Sequence, residues 1–265
     1  MLRIMSDVAL ATIICTFILT PLAILSLSIH LFTCKQMFAY DNLLILIAFL
    51  ISLALVGQIT WAVVDEGQGQ HMSSVTHDQF EHAAKSLLVS EALWALANTL
   101  IRLTALLFLL KLFSPVYRLR CLLILLIGVS IAYGIAALLT TALICRPIQA
   151  SWDNQDQGTC GDQIASFVSL EVVGLIIDLA ILIVPIPTIL TLNMPLKRRA
   201  LTILLISAGT VVIVITGLRI AALHRINTSD FSYDQGYLGL LSILGTLISI
   251  ITCYVPSMYA FIKRL

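Results

Sequence analysis

The chain has 265 residues, of which 60% are hydrophobic and only 11% are charged. Soluble domains carry about 25% charged residues, so this composition excludes a soluble globular protein and predicts one that lives in a bilayer. The formal net charge is +1, which leaves no basic excess to attract polyanions. We therefore expect lipid as a partner and no nucleic acid.

Seven apolar runs predict seven membrane-spanning helices. Each run can cross a hydrocarbon core that needs roughly 20 helical residues, and backbone groups in lipid must be bonded within their own element. The predicted helices one to seven cover residues 8–32, 42–64, 86–113, 121–144, 164–192, 200–223 and 237–262. The Pro-Ile-Pro sequence at 185–187 should kink the fifth, because proline removes a backbone donor. We predict an all-α membrane protein, with residues 1–265 forming a single seven-transmembrane-helix bundle.

Basic residues in the predicted loops are divided unevenly between the two sides of the membrane. Positive loops usually face the cytoplasm, so the richer side predicts a cytoplasmic C-terminus and an N-terminus outside. This side carries Lys35, Lys111, Arg118, Arg120, Lys197, Arg198, Arg199, Lys263 and Arg264, and the other carries Arg3, Lys85, Arg146 and Arg225. The Asn-Thr-Ser triplet at Asn227 falls on the outer side and is a candidate glycosylation site. The plasma membrane and an endomembrane both suit this topology.

The polar loop between predicted helices four and five has a cysteine at each end, Cys145 and Cys160. It lies on the predicted outer side, where disulfides form and persist. We predict that the two cysteines are bridged, with two unpaired thiols as the alternative. The bridge would hold Trp152, Asp153 and Asp156 near the mouth of the bundle. No metal-ligand spacing is found among the cysteines, so we expect no metal.

Several stretches, in the order of the chain, resemble one family, the fungal rhodopsin-like seven-helix membrane proteins. They are "AYDNLLILIAFL", "GQGQH", "CRPI", "SWDNQDQGTC", "DLAILIVPIPTILTLNMPLKRR" and "VITGLRI". The resemblance covers nearly the whole chain, although Asn42 and Leu43 stand where the family has a second Asp and a Trp. It implies either an orphan receptor-like protein, whose cytoplasmic signalling partner is unknown, or a member of a toxin biosynthesis cluster.

A retinal cofactor is not expected despite the name of the family. A retinal Schiff base needs a lysine amine inside the bundle. Predicted helix seven contains no lysine before Lys263, which lies at its cytoplasmic end. We therefore predict no cofactor.

Polar residues inside the predicted helices form two layers, each with an acid and a base. Because such residues are costly in lipid, they are candidates for a ligand pocket by default. Helical periodicity places Glu91, Asn98 and Arg102 on one face of helix three, and Glu171 and Asp178 on one face of helix five. The outer layer contains Glu91, Trp94, Glu171 and Arg219, and the layer near the midplane contains Asn98, Arg102 and Asp178.

The two layers allow three interpretations. In the first, the charges pair and only fix the packing of the helices. In the second, they line an outward-facing pocket among helices three, five and six, in which a receptor-like protein senses a small hydrophobic ligand. In the third, the protein is a membrane-embedded enzyme or accessory protein of fungal secondary metabolism, with Asp178 or Glu91 as a general acid on a lipophilic substrate. The absence of a nucleophile-base motif favours the receptor over the enzyme.

Overall fold

The computed structural model describes residues 6–33, 40–65, 67–70, 77–113, 116–151, 158–191, 196–225 and 231–262. These residues are almost entirely helical, as the apolar runs predict. The helices are α1 Asp7–Thr33, α2 Tyr40–Val64, α3 His77–Leu112, α4 Tyr117–Leu143, α5 Gln163–Ile183, α6 Ile186–Thr191, α7 Leu196–Arg225 and α8 Phe231–Ile262. Between α4 and α5 lie strand β1 Cys145–Arg146, a 3-10 turn Ile148–Ser151 and strand β2 Thr159–Cys160.

Six segments within the described residues are long and apolar enough to cross a membrane. They are Asp7–Phe32, Asn42–Val64, Lys85–Leu112, Tyr117–Leu143, Gln163–Thr188 and Ser232–Tyr254. Large apolar side chains cover the outside of these helices, for example Phe17, Leu125 and Ile176, which are 74%, 63% and 60% exposed. Such a surface is unfavourable in water and suits contact with lipid tails.

Four helices begin at least four residues earlier than the apolar runs predict. α3 begins at His77 rather than at residue 86, α4 at Tyr117 rather than at 121, α7 at Leu196 rather than at 200, and α8 at Phe231 rather than at 237. The added residues at the start of α3 are mostly polar. A hydropathy pattern detects only the part of a helix that meets lipid, whereas backbone hydrogen bonding continues beyond it. The predicted ranges of these four helices were therefore too short at their starts.

The fifth apolar run is interrupted at the predicted place. α5 ends at Ile183 and α6 resumes at Ile186, with Val184 and Pro185 in a turn between them. The N–H of Val184 still donates to the carbonyl of Ala180, at 3.0 Å. Pro185 and Pro187 each lack a backbone N–H, so a continuous ladder of hydrogen bonds cannot pass through this point.

The long helices form a closed ring, with α3 reaching across it. Around the ring, α1 packs on α2, α2 on α3, α3 on α4, α4 on α5, α5 on α7, α7 on α8, and α8 on α1. α3 also packs against α8. The largest apolar core joins α2, α3 and α8, where Leu55, Ile243, Leu247 and Ile250 are fully buried. The side chains of α3 are therefore placed to meet partners from several helices.

The connections between the helices lie at the two ends of the bundle, which we call the disulfide end and the far end. The disulfide end contains β1, β2, residues 67–70 and the starts of α3, α5 and α8. The far end contains the end of α3 and the Val184–Pro185 turn. At the disulfide end, the N–H of Gly69 donates to the carbonyl of Ser232 at 2.7 Å. Gly69 has φ +88°, which L side chains rarely adopt, and a side chain at Gly236 would clash with the backbone of Gly69.

Candidate functional site

The predicted bridge between Cys145 and Cys160 is confirmed. A disulfide joins the two residues, which also face each other in the short antiparallel pair of β1 and β2. The bridge links the end of α4 to the residues just before α5. The N-cap of α5, Asp162, accepts a hydrogen bond from the N–H of Ala165 at 3.0 Å, which satisfies one of the free donors of the first turn. Trp152, Asp153, Asp156 and the sequon Asn227 lie outside the described residues.

Glu91, Trp94, Glu171 and Arg219 form one buried cluster in the half of the bundle nearer the disulfide, and we call it the Arg219 cluster. Arg219 Nη2 donates to Glu91 Oε1, and Arg219 Nη1 donates to Glu171 Oε1. Trp94 Nε1 donates to the same Oε1 of Glu171, at 2.7 Å. The four residues are between 1% and 6% exposed. The cluster thus ties α3, α5 and α7 together through charged groups that have almost no access to solvent.

The indole of Trp94 has a second role in this cluster. The Arg219 guanidinium carbon lies 4.2 Å from the centroid of the Trp94 ring, which is a cation–π contact. Gly245 of α8 also lies against this ring, and an added Cβ there would lie 2.9 Å from Trp94 Cη2. A glycine is therefore needed at this position for α8 to approach α3 so closely.

Arg102 and Asp178 form a second pair, nearer the far end than the Arg219 cluster. Arg102 Nε donates to Asp178 Oδ1 at 2.7 Å, and Nη2 donates to Oδ2 at 2.9 Å. The guanidinium carbon of Arg102 also lies 4.9 Å from the centroid of the Tyr133 ring on α4. A Cβ at Gly174, one turn before Asp178, would lie 2.9 Å from Arg102 Nη2. The missing side chain at Gly174 makes room for the pair.

Asn98 is not part of this pair. Its Nδ2 donates to the carbonyl of Trp94 at 2.9 Å, within its own helix. The predicted midplane layer of Asn98, Arg102 and Asp178 therefore contains a two-membered ion pair beside an asparagine bonded to its own helix. An asparagine that satisfies itself in this way stabilises no contact between helices through that bond.

A cavity of about 140 Å³ lies between Arg102 and the far end. α3, α5, α7 and α8 line it, together with Pro185 in the turn after α5. The lining is apolar apart from Arg102, Thr104, Asp178, Ser249, Thr252 and Cys253. The polar layers in the sequence predict an outward-facing pocket, at the disulfide end, but this cavity is at the other end. Arg102 and Asp178 are the pocket candidates that line it, whereas Glu91, Trp94, Asn98, Glu171 and Arg219 do not.

One donor in the cavity lining lacks an acceptor. Arg102 Nη1 is buried and has no hydrogen-bond partner among the described residues. The hydroxyls of Thr104, Ser249 and Thr252 already donate to carbonyls of their own helices, at 2.9, 2.6 and 2.8 Å. Because an unpaired buried donor is costly, Arg102 Nη1 is the polar group of this lining that most needs an acceptor.

Sequence reasoning missed two features of this region. The first is Tyr133, a phenol in the apolar middle of α4, whose depth along its helix could have signalled a partner for Arg102. The second is the cavity itself, because small residues such as Gly209 and Ser249 show no periodic pattern that distinguishes a cavity lining from ordinary helix packing.

The helices, the apolar outer surface and the buried ion pairs define a helical membrane protein. A family described as "Fungal rhodopsin domain" matches residues 26–264 of the chain. The match covers most of the 265 residues, so the chain belongs to this family, and the resemblance drawn from the sequence is confirmed. The protein is a multi-pass integral membrane protein in contact with lipid. No curated protein and no solved structure matches the chain.

The described residues do not suit a retinal Schiff base, which requires a lysine amine inside the bundle. No lysine lines the cavity. In α3, Lys85 and Lys111 lie toward opposite ends of the helix rather than in its middle. We therefore derive no photochemical step, and the lack of a cofactor stays a prediction.

Proposed function

We propose that the protein is a receptor-like membrane protein that binds a small, mainly apolar molecule in the cavity beside Arg102. The observation that carries this proposal is the unpaired Arg102 Nη1 donor in a mainly apolar lining. A cavity of about 150 Å³ is large enough to bind benzene, so a ligand of roughly that size fits this one. A hydrogen-bond acceptor on the ligand, such as a carbonyl oxygen, would satisfy Nη1.

We further propose that α7 is a seventh span and that the far end faces the cytoplasm. α7, Leu196–Arg225, is 30 residues long and packs between α5 and α8. The basic residues Lys111, at the end of α3, and Arg118 and Arg120, at the start of α4, flank the connection between these helices at the far end. Their position supports a cytoplasmic far end and an N-terminus outside. The proposed ligand site is then in the cytoplasmic half of the bundle, rather than in the outer pocket that the sequence analysis predicted.

A ligand at this site can act on the arrangement of the helices. The cavity is shared by four helices, and Pro185 beside it interrupts the fifth span. A bound molecule shifts a conformational equilibrium only through different contacts in its two states. A ligand in contact with both α5 and α7 would have different contacts if these two helices moved relative to each other.

The geometry gives less support to the enzyme interpretation. Both oxygens of Asp178 accept hydrogen bonds from Arg102, which is the arrangement of an ionised carboxylate rather than of a proton donor. Glu91, the other proposed acid, does not line the cavity. Neither residue is therefore presented to a substrate there as a general acid.

Thermal unfolding of the purified protein in lipid nanodiscs tests the ligand proposal with two probes, cyclohexanone and methylenecyclohexane. The two rings have nearly the same shape, but only the ketone carries an oxygen acceptor. A ligand that binds the folded state raises the Tm in proportion to the logarithm of its concentration over its Kd. We expect cyclohexanone to raise the Tm more than methylenecyclohexane at equal concentration.

Two glycines of α7 provide matched variants for this experiment. Gly209 lines the cavity, and a Cβ there would meet only Leu182 Cδ1, at 3.5 Å, so Gly209→Leu should fill the cavity without a backbone clash. At Gly217 nothing lies within 4 Å of an added Cβ, so Gly217→Leu makes the same change away from the cavity. We expect the effect of the ketone to be lost in Gly209→Leu and kept in Gly217→Leu. Equal effects in both variants, or no effect of the ketone on the unmodified protein, would contradict the proposal.

A further inference from the structure

The Arg219 cluster contains more acids than bases. If Glu91, Glu171 and Arg219 were all ionised, the cluster would carry one net negative charge. These side chains are 1% to 7% exposed, and Arg219 bonds to both carboxylates. An uncompensated charge in such a site is costly, and a buried group neutralises in preference to staying charged and unpaired.

The groups around the cluster offer no second cation among the described residues. The charged groups that act on Glu91 are Arg219 from α7 and Glu171 from α5. Tyr133 from α4 is within electrostatic range of Glu171, and α8 presents Gly245 to Trp94. Toward the disulfide end, Lys85 and Asp234 have contacts of their own, and His224 and Arg225 are exposed. Two carboxylates therefore share a single guanidinium.

Hydrogen bonding distinguishes the two acids. Glu171 Oε1 accepts from both Arg219 Nη1 and Trp94 Nε1. Glu91 Oε1 accepts from Arg219 Nη2. Donors favour the ionised form of a carboxylate, so Glu171 is better stabilised as the anion.

We propose that the Arg219 cluster is a proton-binding site and that Glu91 carries the proton. With Glu91 neutral, the cluster contains one cation and one anion, and Arg219 still bonds to both acids. Loss of the proton leaves two carboxylates on one guanidinium, which weakens the attachment of α3 to α5 and α7. The ligand of this site is the proton itself, and the proposal does not depend on the cavity at the far end.

Infrared spectroscopy of the purified protein in nanodiscs tests this proposal, because a protonated carboxylic acid has a carbonyl stretching band that a carboxylate lacks. We expect this band at neutral pH in the unmodified protein. Glu91→Gln should remove it, whereas Asp178→Asn should keep it. Glu171→Gln should also remove it, because with one acid fewer Glu91 ionises against Arg219. Glu91→Asp should shift the band rather than remove it, whereas Glu171→Asp should leave its position unchanged.

A thermal measurement gives an independent readout. A solvent-exposed glutamate is ionised at neutral pH, so the folded chain would bind one proton more than the unfolded chain. The stability must then fall as the pH rises through the loss of that proton. Glu91→Gln should flatten this dependence of the Tm on pH. An absent carboxylic-acid band, a band that survives Glu91→Gln, or a band that shifts in Glu171→Asp and not in Glu91→Asp would overturn the proposal.

Discussion

Arg102 and Asp178 form a two-pronged salt bridge between α3 and α5, in which Nε donates at 2.7 Å and Nη2 at 2.9 Å. This planar pairing uses both carboxylate oxygens and two of the five guanidinium donors. The Asp178 side chain is 17% exposed and that of Arg102 is 8% exposed. Because both side chains are largely buried, removing one partner leaves the other as an unpaired buried charge, and this charge determines how much stability is lost.

Asp178→Ala should lower the free energy of unfolding by about 3 to 5 kcal/mol, because it leaves Arg102 as an unpaired buried cation. Arg102→Leu in the same chain should recover much of this loss, since it removes the stranded charge. Thermal unfolding of the single and double variants in detergent measures both effects. A double variant no more stable than Asp178→Ala would show that Arg102 is not the partner that matters.

Gly174→Ala should destabilise the protein by about 1 to 3 kcal/mol, because it overpacks the space beside this pair. The added Cβ would lie 2.9 Å from Arg102 Nη2 and 3.0 Å from Tyr133 Oη. Gly128→Ala on α4 is the matched control, because nothing lies within 4 Å of a Cβ there. We expect the control to be neutral or slightly stabilising, since alanine favours helix over glycine. Equal Tm values for the two variants would contradict the close approach.

The sequence predicts the helices well, because a helix that crosses lipid needs a long run of apolar side chains, and such runs are visible in the sequence. It predicts the polar extension of α3 poorly, since nothing in hydropathy marks where a helix ends in water. Periodicity places Glu91 and Arg102 on one face of α3, and Glu171 and Asp178 on one face of α5. Which of these residues pair depends on how the helices are arranged around the bundle. Periodicity within one helix does not give that arrangement, and the structure does.

The cavity could not be predicted from the sequence for a different physical reason. A cavity is the space that remains after all neighbouring side chains have packed, so it has no residue pattern of its own. Gly209 and Ser249 resemble other small residues of the chain until α7 and α8 are set against α5 and α3. The sequence did predict the presence of Arg102 and Asp178 inside the bundle, and these residues now form the polar edge of the cavity.

Breaking the disulfide should destabilise the protein. Cys145 and Cys160 close a loop with a sequence separation of 15, which is worth about 3 kcal/mol in the chain-entropy model. Cys145→Ser together with Cys160→Ser should therefore lower the Tm, whereas Cys121→Ser, at an exposed free cysteine, should leave it unchanged. Peptide mapping under non-reducing conditions should recover the two bridged cysteines in one linked peptide. Free thiols at both positions in freshly prepared protein would contradict the bridge.

The proposed orientation predicts opposite protease sensitivities for two tagged chains. Arg118 and Arg120 lie at the start of α4, at the far end, so a tag fused after Leu265 should be cytoplasmic and protected from protease added to intact cells. The same tag inserted between Asn154 and Gln155, in the disulfide-bridged loop, should be cleaved from outside if the protein reaches the cell surface. In sealed vesicles with the cytoplasmic face outward, the two results should be exchanged. Cleavage of the C-terminal tag in intact cells would contradict the proposed orientation. Cleavage of both tags in one preparation of sealed vesicles would contradict an odd number of spans between the two tag sites.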